Sequence, residues 1–311
     1  MENPASSATL FNHRFAEILR PVFPRRTFRS FEQMQGGYTN INLLLRFEEG
    51  EAPVVMRIYG SGASACKREL DLLIALGQHL PVPEIIYADE KGGDAIGPYA
   101  LYPYIEGITF QELKSRGSRE DMSQAAFAMG EALARVRTVP VPSFLASSSP
   151  CGSVDEFLNS PVLARRIGAR EIDRLQSFLV GWLPQIGCLS DDNALVHGDF
   201  NNRNTILQQQ GDRWQVASIL DWELAFSGSP LWDVARFICY ERKARPCREP
   251  HFSDGYRSAG GRLPENWDSF ASVINAVSAA HSLSRPDLSE RFIPDLCELL
   301  GQIIEGGDPT G

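Results

Sequence analysis

The segment Leu195–Leu224 carries polar residues whose types and spacing could do chemistry. It reads LVHGDFNNRNTIL, then a short polar turn, then VASILDWEL. Asp199 follows a predicted strand through Gly198, Asn204 comes five residues later, and Asp221 lies at the end of a second predicted strand. One carboxylate can take a proton, and two further oxygen donors can bind a hard cation. The pattern predicts magnesium-dependent phosphoryl transfer.

The chemistry gives each of these residues a candidate role. Phosphoryl transfer needs positioning and charge neutralisation more than covalent help from the protein, so Mg²⁺ must be held against the phosphates by oxygen ligands. Asn204 and Asp221 suit that need, and Asp199 suits a base that orients an acceptor hydroxyl and takes its proton. We expect His197 to brace the loop through hydrogen bonds.

The two motifs also carry a resemblance to a known family. HGDFNNRN at 197–204, followed by ILDWE at 219–223, resembles the aminoglycoside phosphotransferase family, which is related to choline kinases and more distantly to protein kinases. The resemblance covers roughly Gln35 to Leu263. It implies that the first Asp of the motifs is the catalytic base, and that the Asn and the second Asp bind Mg²⁺. The alternative is that these residues only cap a loop and end a strand.

The resemblance implies an α+β, two-lobed protein kinase-like fold. Residues 1–103 would form an N-terminal nucleotide-binding lobe built on an antiparallel sheet. Residues 104–311 would form a mainly helical lobe for catalysis and substrate binding, with the nucleotide held between the lobes. Alternating apolar residues and turn signals predict the strands of that sheet, namely Phe28–Gln35, Tyr38–Phe47, Val54–Tyr59 and one that starts within Pro81–Ile86.

Two parts of the N-terminal lobe are candidates for holding the nucleotide phosphates. Gly36 and Gly37 could let backbone amides approach the phosphates, although a glycine pair is also a good turn. Arg57 is the single charge in an apolar strand and needs an anionic partner if it is buried. Glu69, in a helix predicted over Ser61–Leu76 with Leu70, Leu73 and Ile74 on its inner face, could supply it.

The Arg57–Glu69 pair resembles the Lys–Glu pair that holds the α and β phosphates in protein kinases. Arginine departs from that pattern, because a forked guanidinium replaces a compact ammonium. The alternative is that Arg57 faces solvent. Further along, the connector around Tyr104 and Ile105 matches the family's hinge, whose backbone would hydrogen-bond an adenine edge, although its aromatic residues could equally serve packing.

The C-terminal half offers two weaker indications. Asp233 lies in the first turn of a helix predicted to open at Ser229-Pro230, where the family places an Asp that braces the catalytic loop. A carboxylate is also favourable at any helix N-terminus. Carboxylates and aromatic residues mix within Tyr240–Trp267 and suit either a site for a hydroxylated cation or an ordinary helix surface; they are Glu241, Asp254, Tyr256, Glu265 and Trp267.

Composition excludes some classes of protein. The 311 residues are 43% hydrophobic and 22% charged, with a net charge of −9. Clustered Lys and Arg are absent, which argues against a nucleic-acid partner. The negative charge favours a cationic substrate weakly, and solubility explains it as well. With no apolar run of membrane-spanning length and scattered cysteines, we expect a cytoplasmic protein without a membrane partner.

Together these patterns predict a small-molecule kinase. It would transfer a phosphoryl group from ATP or GTP, with Mg²⁺, to a hydroxyl of a small molecule such as an aminoglycoside or another hydroxylated cation. The competing hypothesis is a catalytically silent, nucleotide-binding regulator that keeps the fold. The motifs do not identify the acceptor, because one fold serves many acceptors.

Overall fold

The computed structural model describes residues 14–34, 40–92, 96–145, 154–187, 193–239 and 248–306. The chain divides into two compact units. The first contains Met1–Glu106 and the short segment Ser218–Glu223, and the second contains Gly107–Ala217 and Leu224–Gly311. The segment Ser218–Glu223, which carries Asp221, thus belongs to the first unit.

The first unit is an antiparallel sheet with two helices. Helix α1 covers residues 14–19 and helix α2 covers Ala63–Leu76. The strands are β1 (Phe28–Gln33), β2 (Ile41–Phe47), β3 (Val54–Ile58), β4 (Tyr87–Asp89) and β5 (Tyr99–Pro103). They lie in the order β1-β2-β3-β5-β4, and each neighbouring pair is antiparallel.

Alternating apolar residues build the core of this unit. Leu43, Leu45 and Phe47 lie on one face of β2 and pack with Phe15 and Leu19 of α1. This is the period of two that a half-buried strand requires. The sheet therefore holds β3, and with it Arg57, in a fixed register opposite Asn42 of β2 and Ala100 of β5.

Two details of this unit differ from the sequence-based predictions. The strand predicted to start within Pro81–Ile86 is wrong, because β4 begins only at Tyr87. Two prolines in that segment lack the N–H that a sheet ladder needs, and the carbonyl of Pro81 instead accepts a hydrogen bond of 2.7 Å from the Ile219 N–H. In α2, Leu70 and Leu73 are buried as expected, but Ile74 is 69% exposed.

The second unit is mainly helical. Its helices are α3 (Phe110–Arg116), α4 (Arg119–Val136), α5 (Val154–Leu158), α6 (Pro161–Ile167), α7 (Ala169–Gly187), α8 (Leu231–Ile238), α9 (His251–Ser258), α10 (Trp267–Ser284) and α11 (Ile293–Gly306). Its main apolar core joins α10 to α5, α6, α7 and α11. Among the described residues, no helix combines the length and apolar character needed to cross a membrane.

Short strands in this unit frame the HGDFNNRN motif. Strand β7 (Ala194–Val196) leads into it and β8 (Thr205–Gln210) leads out of it. Strand β7 pairs with β10 (Phe226–Gly228), while β8 lies between β6 (Ile108–Thr109) and β9 (Arg213–Ile219). Both ends of the motif are therefore fixed by hydrogen-bonded strands.

Candidate active site

The loop of residues 197–204 depends on a glycine at its second position. Gly198 has a φ of +84°, and a Cβ placed there would lie 2.3 Å from the carbonyl oxygen of Leu224. Residues other than glycine rarely adopt this conformation, and the Leu224 carbonyl also leaves no room for a Cβ atom. The backbone can therefore turn sharply out of β7 and present Asp199 only because this residue is glycine.

Asp233 of α8 holds this turn. Its side chain is buried, and its two oxygens accept hydrogen bonds from the N–H groups of His197 (2.7 Å) and Gly198 (2.9 Å). Burial raises the pKa of Asp233 to about 6, although His197 and the two backbone donors lower it. These bonds confirm the prediction that Asp233 braces the loop of residues 197–204.

His197 has a structural position. Its ring is fully buried, and its Nδ1 accepts a hydrogen bond of 3.2 Å from the N–H of Asp199. The expectation that it braces the loop agrees with this contact.

Asp199 and Asn204 contact each other across the loop. The Asn204 amide nitrogen Nδ2 donates to the Asp199 side-chain oxygen Oδ2 and to its backbone oxygen, both at 2.9 Å. This orientation directs the amide nitrogen at Asp199, so the carbonyl oxygen of the Asn204 side chain is the atom left to serve as a cation ligand. The Asp199 side chain is 24% exposed, and a substrate hydroxyl can thus reach it.

Arg236, which the sequence-based predictions missed, contacts the other oxygen of Asp199. Its Nε and Nη2 atoms each lie 3.0 Å from Oδ1 of Asp199. Arg236 follows Asp233 by three residues on α8, and residues three apart share a helix face. That spacing from the loop-bracing Asp233 is the signal in the sequence that could have pointed to it.

In the first unit, Arg57 lies among three carboxylates, and that of Glu223 is the most distant, with its Oε2 3.5 Å from Nη2 of Arg57. Nη2 of Arg57 donates to Oδ1 of Asp221 at 2.5 Å, and Nε lies 3.1 Å from Oε2 of Glu69. The ion pair predicted between Arg57 and Glu69 is thus present. Arg57 is 9% exposed, so the alternative that it faces solvent is wrong.

Burial and charge act in opposite directions on this pair. Burial lowers the pKa of Arg57, but Glu69 and Asp221 outweigh it and raise that pKa above the usual value. For Glu69, burial raises the pKa to about 7, against the influence of Arg57. Arg57 therefore stays charged, and it is the cation on which the buried Glu69 depends.

Asp221 has an unusual backbone. Its φ is +64°, and among the described residues other than glycine it alone has a positive φ. Such a conformation in a residue with a side chain is strained and clusters at functional sites. The turn follows β9 directly and directs the carboxylate toward Arg57.

Glu223 and Asn40 form a second polar contact in this unit. Asn40 donates through Nδ2 to Oε2 of Glu223 at 2.7 Å, and its Oδ1 accepts from the Gly60 N–H at 3.2 Å. Arg68 donates to the backbone oxygen of Glu223 at 3.0 Å. Asn40 therefore ties the start of β2 both to the end of β3 and to the segment that carries Asp221.

The other predicted nucleotide residues have different outcomes. Gly36 and Gly37 lie outside the described residues. Tyr104 and Ile105 follow β5, and the Tyr104 N–H already donates to the Pro53 carbonyl at 3.2 Å. A nucleotide at this position would therefore use the carbonyl of Tyr104 and the backbone groups of Ile105.

The candidate acceptor residues are spread over different environments. Tyr256 is buried and stacks on Phe252, so it is a core residue. Asp254 and Glu265 are exposed, while Trp267 is partly buried at the start of α10. Glu241 lies outside the described residues. The described members of this set therefore do not form one acceptor site.

The donors fit a magnesium ion that keeps water and phosphate ligands. Among the described residues, no group of three or more His, Cys, Asp or Glu side chains could hold a metal alone. Mg²⁺ is commonly bound by one or two protein oxygens together with phosphates and waters. A side-chain amide oxygen at Asn204 and a carboxylate at Asp221 are donors of the required hard type.

Comparison with known proteins identifies the family. Residues 30–272 match the phosphotransferase enzyme family. Two relatives are "Acyl-CoA dehydrogenase family member 10" of Mus musculus, 27% identical over 65% of this chain, and "Probable acyl-CoA dehydrogenase IBR3" of Arabidopsis thaliana, 26% identical over 92%. The chain spans only 20% and 37% of the lengths of these two proteins.

Solved structures share the fold at low identity. The choline kinase LicA of Streptococcus pneumoniae superposes with a TM-score of 0.69 at 15% identity, covering 95% of this chain and 100% of the other. The aminoglycoside phosphotransferase APH(2″)-IIIa, in complex with GDP and kanamycin, gives 0.68 at 17% identity, covering 95% and 99%. The fold is protein kinase-like, as predicted. The chain therefore belongs to the phosphotransferase enzyme family.

Proposed function

We propose that this chain transfers the γ-phosphoryl group of a nucleoside triphosphate to a hydroxyl group of a small molecule, with Asp199 as the base. The observation that carries the proposal is the fixed carboxylate of Asp199, whose oxygens are held by Asn204 and Arg236 on a loop braced by Asp233. A base must lie within hydrogen-bond reach of the hydroxyl proton and in one orientation. A scaffold without catalysis has no need of this arrangement.

The transfer would be a single displacement. The acceptor oxygen bonds to the γ-phosphorus while the bond from that phosphorus to the β–γ bridging oxygen breaks. The hydroxyl proton passes to the carboxylate of Asp199, and the nucleoside diphosphate leaves. Mg²⁺ held by Asn204 and Asp221 would supply charge neutralisation for the phosphates.

The other nucleotide contacts in the proposal come from the first unit. Arg57 would bind phosphate oxygens, since a guanidinium offers paired donors of the geometry that phosphate accepts. Gly36, Gly37 and Glu69 would shape and support that site. The backbone at Tyr104 and Ile105 would hydrogen-bond the nucleobase. Whether ATP or GTP is the better donor is an outcome of the assay below.

The sequence relatives favour a second class of acceptor beside aminoglycosides and other hydroxylated cations. Both relatives described above are named acyl-CoA dehydrogenases and are much longer than this chain. Sections of one polypeptide benefit from acting on a common substrate, because tethering raises the effective concentration. A hydroxyl group on an acyl-CoA is therefore a candidate acceptor.

An acceptor screen tests the proposal. The chain would be incubated with Mg²⁺ and ATP or GTP, and release of the nucleoside diphosphate would be measured with kanamycin, choline and 3-hydroxybutyryl-CoA. We expect release above the acceptor-free rate with at least one acceptor, and mass spectrometry should show the phosphorylated product. Binding of Mg-nucleotide without transfer to any acceptor, and without hydrolysis, would instead support the nucleotide-binding regulator.

A further inference from the structure

We infer that Arg236 selects the charge of the acceptor, so that acceptors with an anionic group near the hydroxyl are preferred over cationic ones. The inference rests on the proposed function, because it takes Asp199 as the residue that meets the hydroxyl. The inference concerns the local charge of one guanidinium on α8. The net charge of the whole chain, −9, weakly favours a cationic substrate instead.

The contact with Asp199 places a positive charge beside the base. Arg236 directs Nε and Nη2 to the same oxygen, Oδ1 of Asp199, each at 3.0 Å. A guanidinium this close offsets the negative charge that the carboxylate alone would present to an approaching substrate. The base therefore does not act as a negative site that attracts amines or ammonium groups.

The acceptor must come close to this guanidinium. A hydroxyl that gives its proton to Asp199 lies within about 3 Å of the carboxylate, and so within a few ångströms of Arg236. A charged group two or three carbons from that hydroxyl then lies inside the Debye length of about 8 Å at physiological ionic strength. Arg236 is 37% exposed, so solvent weakens its influence without removing it.

The same helix turn fixes both the backbone and the charge of the loop. Asp233 binds two backbone N–H groups at His197 and Gly198, and Arg236, three residues later, binds the carboxylate of Asp199. Asp233 thus holds the backbone of the loop, whereas Arg236 holds the carboxylate of Asp199 and places a positive charge beside it. The added feature of Arg236 is its charge at the position that the acceptor approaches.

The test uses three acceptors of equal length and different charge. They are 3-hydroxypropanoate, 1,3-propanediol and 3-amino-1-propanol, which carry a negative, a neutral and a positive group at neutral pH. The kcat/KM for phosphoryl transfer would be measured with saturating Mg-nucleotide, after subtraction of the rate with water. For the wild-type chain we expect the anion to exceed the cation by about tenfold or more.

Variants at Arg236 separate selection from folding. Arg236→Gln should bring the anion-to-cation ratio of kcat/KM to within about threefold, whereas Arg236→Lys should keep most of the ratio. The matched control is Arg174→Gln, because Arg174 also pairs with a carboxylate of the same unit at 3.0 Å and is 36% exposed. This control should leave the ratio unchanged.

Several outcomes would overturn the inference. It fails if the wild type prefers the cation, if it does not use the anion at all, or if Arg236→Gln lowers transfer to all three acceptors equally. Hydrolysis of Mg-nucleotide with water, lost in Asp199→Asn, would show in each case that the proposed function still stands. Failure of hydrolysis and of every transfer would count against both.

Discussion

Asp199 and Asp221 are both carboxylates that follow strands, yet their surroundings differ. Asp199 contacts Asn204 and Arg236 and is partly open to solvent. Asp221 contacts the buried Arg57 and has a strained, positive φ. A partly open carboxylate suits the proposed proton acceptor, whereas one beside a buried arginine suits the proposed metal ligand.

This contrast predicts that neutral variants of Asp199 and Asp221 lose different properties, namely the transfer rate or the affinity for Mg-nucleotide. Asp199→Asn keeps the shape and removes the proton acceptor, so transfer should fall by about 10²-fold or more while Mg-nucleotide affinity stays near wild type. Asp221→Asn should weaken both, because in the proposed function this carboxylate would bind the metal. Single-turnover rates and calorimetric titration with Mg-nucleotide measure the two quantities separately.

The outcome can contradict either role. A loss of tenfold or less in Asp199→Asn would mean that another residue positions the hydroxyl. Equal loss of nucleotide affinity in both variants would mean that Asp199 is a metal ligand or a structural brace. Circular dichroism and thermal unfolding of both variants serve as the control for folding.

Arg57 gives a prediction in which function and stability are linked. Arg57→Ala should raise the nucleotide KM about tenfold or more, and it should also destabilise the chain, because it leaves the buried Glu69 without its cation. Breaking one side of a buried ion pair commonly costs about 3–5 kcal/mol. Arg57→Lys should recover part of the nucleotide affinity and part of the stability, since it restores the positive charge but not the paired donors of the guanidinium.

A double variant distinguishes the two effects of Arg57. In Arg57→Ala with Glu69→Gln, the unpaired carboxylate is gone, so much of the stability should return while the nucleotide KM stays high. Chemical denaturation and steady-state kinetics are the measurements. If the nucleotide KM of Arg57→Ala equals that of wild type, Arg57 has only a structural role.

At the scale of elements, α8 is the helix whose side chains hold the loop of residues 197–204 in place. It carries Asp233 and Arg236 on one face, and both contact residues 197–199. The loop itself is closed by the pairing of β7 with β10 and by the turn at Gly198. The position of Asp199 is therefore set by a strand, a glycine and one turn of a helix.

The buried Asp233 predicts how stability depends on pH. Its pKa is raised from 3.8 to about 6 by burial, so the folded chain holds a proton there between these values while the unfolded chain does not. Its contribution is fully present below pH 4 and is lost as the pH rises through 6. The difference between the two pKa values corresponds to about 1–3 kcal/mol in the free energy of unfolding.

Comparison with Asp233→Asn isolates this contribution. The free energy of unfolding would be measured by urea denaturation at pH 4.5 and pH 7.5. We expect the decrease from pH 4.5 to pH 7.5 to be smaller in Asp233→Asn than in wild type, because asparagine does not titrate. An unchanged decrease in the variant would assign the effect to other groups, such as the buried Glu69, whose pKa is also raised by burial, to about 7.

Elements with a clear period or a charge inside an apolar strand could be predicted from the sequence. The strands around Leu43–Leu45 and the pairing of Arg57 with Glu69 are of this kind, whereas the brace at Asp233 was expected from the family resemblance. The course of residues 81–86 was predicted wrongly as the start of a strand, since its two prolines lack ladder donors and the Pro81 carbonyl accepts from the distant Ile219 N–H. Arg236 was missed because its partner, Asp199, is 37 residues away.

At the scale of the whole molecule, the chain carries its candidate ligands on different parts of the sequence. Asp199 and Asn204 belong to the second unit, and Arg57 and Asp221 to the first. The segment Ser218–Glu223 belongs to the first unit although more than a hundred residues of the second unit precede it in the sequence. A division based on sequence order alone cannot detect a segment that returns to an earlier unit.

Mg-nucleotide binding should stabilise the folded chain, and the stabilisation should depend on the cation. A ligand at 100 times its Kd that binds only the folded state adds about 2.7 kcal/mol, which for a chain of this size is a Tm increase on the order of 5 °C. We expect ATP or GTP to give this shift with Mg²⁺ and only a small shift with EDTA, because in the proposed function Asn204 and Asp221 would act on the phosphates only through the metal. Differential scanning fluorimetry over a series of nucleotide concentrations is the measurement. Asp221→Asn should lose the magnesium-dependent part while retaining any shift due to Arg57, and equal shifts with and without Mg²⁺ in the wild type would remove the metal assignment of both residues.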